Sequence, residues 1–286
     1  MKTKNVQLFK FSILTLIFSA FMLISCQDDG TDMDGVQLDE ASAIEQAEID
    51  NVSEGVNAII EDVYYNEENQ TAAKGVEVES KFIPECVTIT KVLTTNTKII
   101  TIDFGDGCVT KNENIVSGKI NMEYIYNITD LTVTIDYTFD NFYFNSKKVE
   151  GEINKIRIRF NENGNPEATI NKNIKIIWDD GTFVTVEGER VREWIEGVGS
   201  GAWGDNVFLI SGQWTITKKD GTVNTATIVE PLRREMSCRF IVSGKTEIER
   251  GGKKIMLDYG NGECDDLAIV TVDGKEIEIH LSNIKR

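Results

Sequence analysis

The chain has a single histidine, His280 in "EIEIHL", so no Ser-His or Cys-His dyad can be built except around that residue. A surface or edge position on a strand is its plain reading. The sequence contains no P-loop, dinucleotide fingerprint or His-rich metal signature. Carboxylates are abundant instead, 47 Asp and Glu against 30 Lys and Arg. Two acids at a suitable separation are all that a glycosidase needs, so composition leaves carboxylate-dependent glycoside cleavage open. No pair stands out, and the expectation is a protein without a catalytic centre. The run "DYGNGECDD" gathers Asp258, Asn261, Glu263, Asp265 and Asp266 in one bend. Oxygen ligands on a glycine-rich loop suit calcium, although the spacing is not that of an EF-hand and turn hydrogen bonds explain the same residues. No other cofactor is indicated. A second loop, "GVGSGAWG" at 197–204, has Trp194 and Trp203 at its flanks, followed by Asp205 and Asn206. Exposed tryptophan faces stack on sugar rings, and the two polar residues would supply hydroxyl hydrogen bonds. Trp178 and Trp214 read equally as core or cross-strand partners.

These residues sit among strands. Beyond Pro84 the hydrophobic period becomes two, in "VTITKV", "TKIITIDF", "KINMEYIY", "LTVTIDYTF", "KIRIRF", "ATINKNIKII" and "TFVTVEGE". Turn signals separate them at Asn163-Gly164, Asp179-Asp180-Gly181, Asp220-Gly221 and Asp273-Gly274. No helix-length segment intervenes, so antiparallel hairpins and meanders are expected, folded into a sandwich or one curved sheet. Residues 80–286 are predicted to form this all-β domain. Before it, residues 40–66 predict one amphipathic helix, with Ile49, Val52, Val56, Ile59, Ile60 and Val63 on one face, acids on the other and a weak point at Gly55. Packing of its apolar stripe on the following sheet is expected.

A repeat joins the two ends of the β region, at 86–125 and 238–281. "CVTIT…KIITIDFGDGC…SGKI" answers "CRFIV…KIMLDYGNGEC…DGKE". In each copy two cysteines flank a hairpin, which pairs Cys86 with Cys108 and Cys238 with Cys264. By loop-closure entropy each bridge contributes roughly 3 kcal/mol.

The first 25 residues carry a basic start, Lys2, Lys4 and Lys10, then the apolar run Phe11–Ile24. As a helix that run rises roughly 21 Å, short of the roughly 30 Å hydrocarbon core, so a signal peptide is expected. Leu23-Ile24-Ser25-Cys26 resembles a bacterial lipobox, which makes Cys26 the lipidated first residue and ties the protein to a membrane. Residues 26–39 read as an acidic tether. Asp28, Asp29, Asp32 and Asp34 resemble the export signal of Bacteroidota-type lipoproteins, which implies the cell surface, with the periplasmic face as the alternative. Removing residues 1–25 takes away three lysines and no acids, leaving 27 bases against 47 acids, a net charge of −20. That charge repels nucleic acid, which is excluded as a partner.

From Cys86 onward the chain is similar to a group of Bacteroidota-type outer-membrane lipoproteins without an established activity. The similarity rests on "TIDFGDGC", "NFYFNSKKVEG", "REWIEG…GDNVFLISG", "CRFIVSGKTEI" and "LDYGNGECDDLAIVTVDGKEIEIHL". It implies export, lipidation and an all-β architecture, and it assigns no catalytic residue. The expected function is a surface-tethered lipoprotein with a binding or structural role, its partner a glycan or a surface protein. An accessory carbohydrate-binding protein is the alternative, and a glycoside hydrolase the third reading.

Overall fold

The computed structural model describes residues 33–72, 84–94, 97–110, 112–127, 129–200 and 202–282. The signal segment, Cys26 and the first part of the expected tether lie outside them. The chain divides after Met33, and the account below concerns the unit Asp34–Arg286.

Among the described residues one helix, α1 (Met33–Ala72), precedes fourteen strands. These are β1 (Thr88–Leu93), β2 (Thr97–Asp103), β3 (Cys108–Val109), β4 (Ile115–Asn127), β5 (Thr132–Phe144), β6 (Lys147–Ile158) and β7 (Glu167–Ile177). They continue with β8 (Phe183–Glu196), β9 (Val207–Lys218), β10 (Val223–Glu235), β11 (Ile241–Arg250), β12 (Lys253–Asn261), β13 (Leu267–Val272) and β14 (Lys275–His280). All belong to one antiparallel sheet in sequence order, with the short β3 set aside against β4. The sheet is therefore a single meander with β1 and β14 at its edges, not a sandwich of two sheets. The four expected turns fall between β6 and β7, β7 and β8, β9 and β10, and β13 and β14. α1 is longer than the predicted helix at both ends, and its start at Met33 takes in residues expected to be tether.

Period-two burial shows which way each strand faces. In β7, Ala168, Ile170, Lys172, Ile174 and Ile176 point inward, while Asn171 and Asn173 are exposed. What the inner face covers is α1. Ile49, Val52, Val56, Ile59, Ile60 and Val63 are buried, as expected of an apolar stripe. Glu45, Glu48, Asp50, Glu54, Glu61 and Asp62 are buried as well, so the acidic face opposite the apolar stripe is also covered. From 40 to 64 no side chain of the helix is exposed, so this stretch needs walls on every side. Its contacts come from β4 through Tyr124, from β6 to β9, and from β12 through Tyr259. The sheet is thus curled around the helix. Lys155 hydrogen-bonds Asn57 from 98 residues away, and Tyr259 reaches Asp50 from 209.

Two devices permit the close fit. Gly55, which reads in sequence as a weak point, is where the Phe144 ring lies against the helix; a Cβ there would collide with the ring. Gly118 in β4 has a positive φ of 79° at a register shift against β5, and a side chain there would strike the Asn141 backbone.

The repeat has a physical basis. Asp103 Oδ1 accepts the Gly105 N–H at 2.9 Å, and Asp258 Oδ1 accepts that of Gly260 at 3.0 Å. The aromatic between them, Phe104 or Tyr259, turns inward and is buried. Each copy carries its bridge, Cys86–Cys108 with Cα atoms 6.0 Å apart and Cys238–Cys264 at 5.6 Å. The copies differ beyond it: Gly118 lies within β4, whereas Gly274 makes the β13–β14 turn.

Candidate functional site: a buried charge seam and a terminal cleft

Gln46, Asp50, Ser53, Glu54, Asn57 and Glu61 recur at helical spacing and form one polar stripe along α1. The stripe faces β6–β9, where bases stand in the inward phase of the strands. Arg190 joins Asp50 and Glu54, and Arg192 joins Glu54. Lys155 and Arg157 share Glu61. Lys172 donates to Ser53 Oγ at 3.1 Å, and the Trp214 indole N–H donates to Gln46 at 3.1 Å. Outside the stripe, Lys218 pairs with Glu45 at 3.0 Å, and Glu48 accepts the Trp178 indole N–H at 2.9 Å. Trp178 and Trp214 are therefore core residues. The Arg190 guanidinium lies 4.0 Å over the Trp214 ring, which shields the pair from water.

Burial raises a carboxyl's affinity for its proton, but here the bases prevail. Burial acts on Glu54 first, yet Arg192 and Arg190 hold it below its ordinary value of 4.5. Glu61 is likewise held well below that value by Arg157 and Lys155 against the burial. Burial lowers the Lys155 ammonium to about 8, with Glu61 opposing the fall. Burial also pushes the Tyr259 hydroxyl well up, with Asp50 adding to it. The seam encloses a cavity of only about 40 Å³ beside Asp50, Glu54, Arg234 and Tyr259, room for water and not for a substrate.

A larger concavity, about 630 Å³, opens where α1 passes the ends of β4, β6 and β8. Tyr64, Tyr126, Leu131, Phe160, Trp194 and Val198 supply most of its apolar wall. The wall is held from behind. Asn161, Asn163 and Asn165 each donate a side-chain N–H to Glu193 Oε1 at 2.9–3.0 Å, and the Trp194 N–H donates to the Pro166 carbonyl at 2.9 Å. Those amides, Asn161 first, hold the Glu193 carboxyl below its ordinary range. They pin the loop that carries Phe160 against β8. Arg157 links the two sites, with one nitrogen on Glu61 and its guanidinium 4.1 Å over the Tyr64 ring.

The residues expected at the tryptophan loop meet different fates. Trp194 lines the cleft, but one ring face stacks on Phe208 at 5.7 Å and its indole N–H donates to the Glu196 carbonyl at 2.6 Å. The side chain of Trp203, at the start of a short 3-10 turn, lies outside what is described. Asp205 is exposed and accepts the Ser200 hydroxyl at 3.0 Å. Asn206 is buried beneath Gly197, so it is not available for a hydroxyl at the surface. Among the described residues of the loop and its flanks, Trp194, Val198 and Gly199 line the cleft, and Asp205 and Asn206 do not.

The suggested calcium ligands are not brought together. Asp258 caps Gly260 and faces Lys245, and Asn261 accepts the Glu263 N–H at 3.3 Å. Asp265 accepts the Leu267 N–H at 3.0 Å, while Asp266 takes His280 Nδ1 at 3.2 Å and the Ser282 hydroxyl. Among the described residues no three Asp, Glu, His or Cys converge on one point. His280 is exposed on β14.

The seam was missed because its members read as surface charge. The signal was present in phase: Arg190 and Arg192 continue the inward series Val184, Val186 and Gly188, and Lys155 and Arg157 continue Val149 and Ile153. No protein-family model, curated protein or solved structure matches the chain.

The unfolded chain protonates these glutamates near pH 4.5, whereas the folded chain resists to lower pH. Below about 4.5 the unfolded state binds more protons, so stability falls with pH. Glu61→Gln leaves Lys155 and Arg157 short of a counter-charge and is expected to cost about 3 kcal/mol at pH 7. It should also flatten the loss of stability between pH 5 and 3. Denaturant unfolding at pH 7, 5, 4 and 3 checks both; an unchanged midpoint at pH 7 with an unchanged acid slope contradicts them.

Proposed function

We propose that this chain is a lipid-anchored lipoprotein of the outer membrane, exposed at the cell surface, and that it binds a ligand in the cleft at Trp194. The observation that carries the binding reading is the cleft itself. Its volume falls in the range of small-molecule sites, and its apolar wall is fixed by the Asn–Glu193 cluster before any ligand arrives. Large apolar side chains left exposed together, Leu131 and Phe160 among them, point the same way. The lipobox at Cys26 and the acids after it support the anchor and its surface placement. No helix among the described residues is long and apolar enough to cross a membrane.

Glycan capture is the second reading, favoured by Trp194, Asn127 and Thr132 among the lining residues. Glycoside cleavage has less support, because among the described residues no carboxylate lines the cleft and the reaction uses two.

Cys26→Ala is expected to move the protein from the membrane to the soluble fraction; retention with the membrane would place the anchor elsewhere. The neutral fluorophore N-phenyl-1-naphthylamine should brighten on binding the Cys26→Ala form, and Trp194→Ala with Phe160→Ala should remove most of that gain. No brightening, or brightening untouched by the double change, would contradict the cleft as a binding site.

A further inference from the structure

We infer that the ligand of this cleft is a single-chain amphiphile with an anionic head, its chain lying on the Tyr64–Trp194 wall and its head at Arg159. The inference rests on the cleft being a binding site and adds the class of ligand. Two arginines, Arg157 and Arg159, line the cleft, and among the described residues no Asp or Glu does. In a chain of net charge −17 this is a local reversal of sign. The two arginines are not equivalent. Arg157 is already committed to Glu61 and to the Tyr64 ring. Arg159 is exposed, beside Phe160, and has no carboxylate partner among the described residues.

A neutral sugar has little use for such a wall. Its hydroxyls need paired donors and acceptors, and burying them against Leu131, Val133, Ile158 and Val198 would leave several unpaired. An alkyl chain loses nothing there and is stabilised by about 0.8 kcal/mol for each methylene buried. An anionic head set at the rim keeps part of its hydration and pairs with a guanidinium that need not leave another partner. The acidic remainder of the surface repels such an ion, so the cleft is where it is tolerated.

The test uses the Cys26→Ala form free of detergent, titrated calorimetrically with dodecanoate, dodecanol and maltohexaose. Dodecanoate is expected to bind about fivefold more tightly than dodecanol, the scale of one exposed ion pair. Arg159→Ala should remove that advantage and leave dodecanol unchanged. Equal binding of the two alkyl probes, or dodecanoate binding indifferent to Arg159→Ala, overturns the anionic head while the cleft still stands as a binding site. Binding of maltohexaose alone, lost in Trp194→Ala, overturns the amphiphile and keeps the cleft. Binding of none of the three, with no response to the neutral fluorophore, removes both.

Discussion

A charge taken out of water must find its opposite, and that constraint organises this protein. Six acids of α1 are buried away from bulk solvent. Each unpaired ion in such a place would cost several kcal/mol. The sheet answers with Lys and Arg placed among its inward apolar residues, on β6 to β9 above all. Packing alone would let a helix slide or rotate inside a curled sheet. Asp50 on Arg190, Glu54 on Arg192 and Glu61 on Lys155 fix both its height and its azimuth.

The remaining features follow from closing a sheet around such a helix. The sheet must bend, and glycines at register shifts let it. Its two ends carry the related Cys modules. Near them Arg239 stands 3.8 Å from Glu113, so the start of β11 approaches the β3–β4 turn without a strand ladder between them. The cleft opens beside Tyr64, against the ends of β4, β6 and β8. Arg157 belongs to both regions, so the geometry of the cleft wall is tied to the same ion pairs that set the helix.

Much of the fold was legible in sequence because its signals are local. Alternation in "ATINKNIKII", turns such as Asp179-Asp180-Gly181 and the DFGDG and DYGNG repeat all act within a few residues. The charge seam was not legible because its pairs are joined across 94 to 140 residues. A glutamate on a helix reads as solvated until the arginine that meets it is placed. Asn206 misled for the same reason: polar type suggested exposure, and the turn above it buried the side chain. Asp258 and Asp265 each accept a backbone N–H two residues on, as turn chemistry predicts, while Asp266 is held by His280 and Ser282. Of the cleft, only Trp194 and the adjoining loop with Val198 and Gly199 were within reach, since the other walls come from strands distant in sequence.

The central claim is that α1 is held by specific buried ion pairs rather than by apolar packing alone. A double-mutant cycle on Asp50→Asn and Arg190→Met, read by denaturant unfolding at pH 7, tests it most directly. Each single change should cost about 3–5 kcal/mol, and the double should cost well below their sum, a coupling of about 2 kcal/mol. Costs that add within about 0.5 kcal/mol would show that the two residues act independently and would contradict the account.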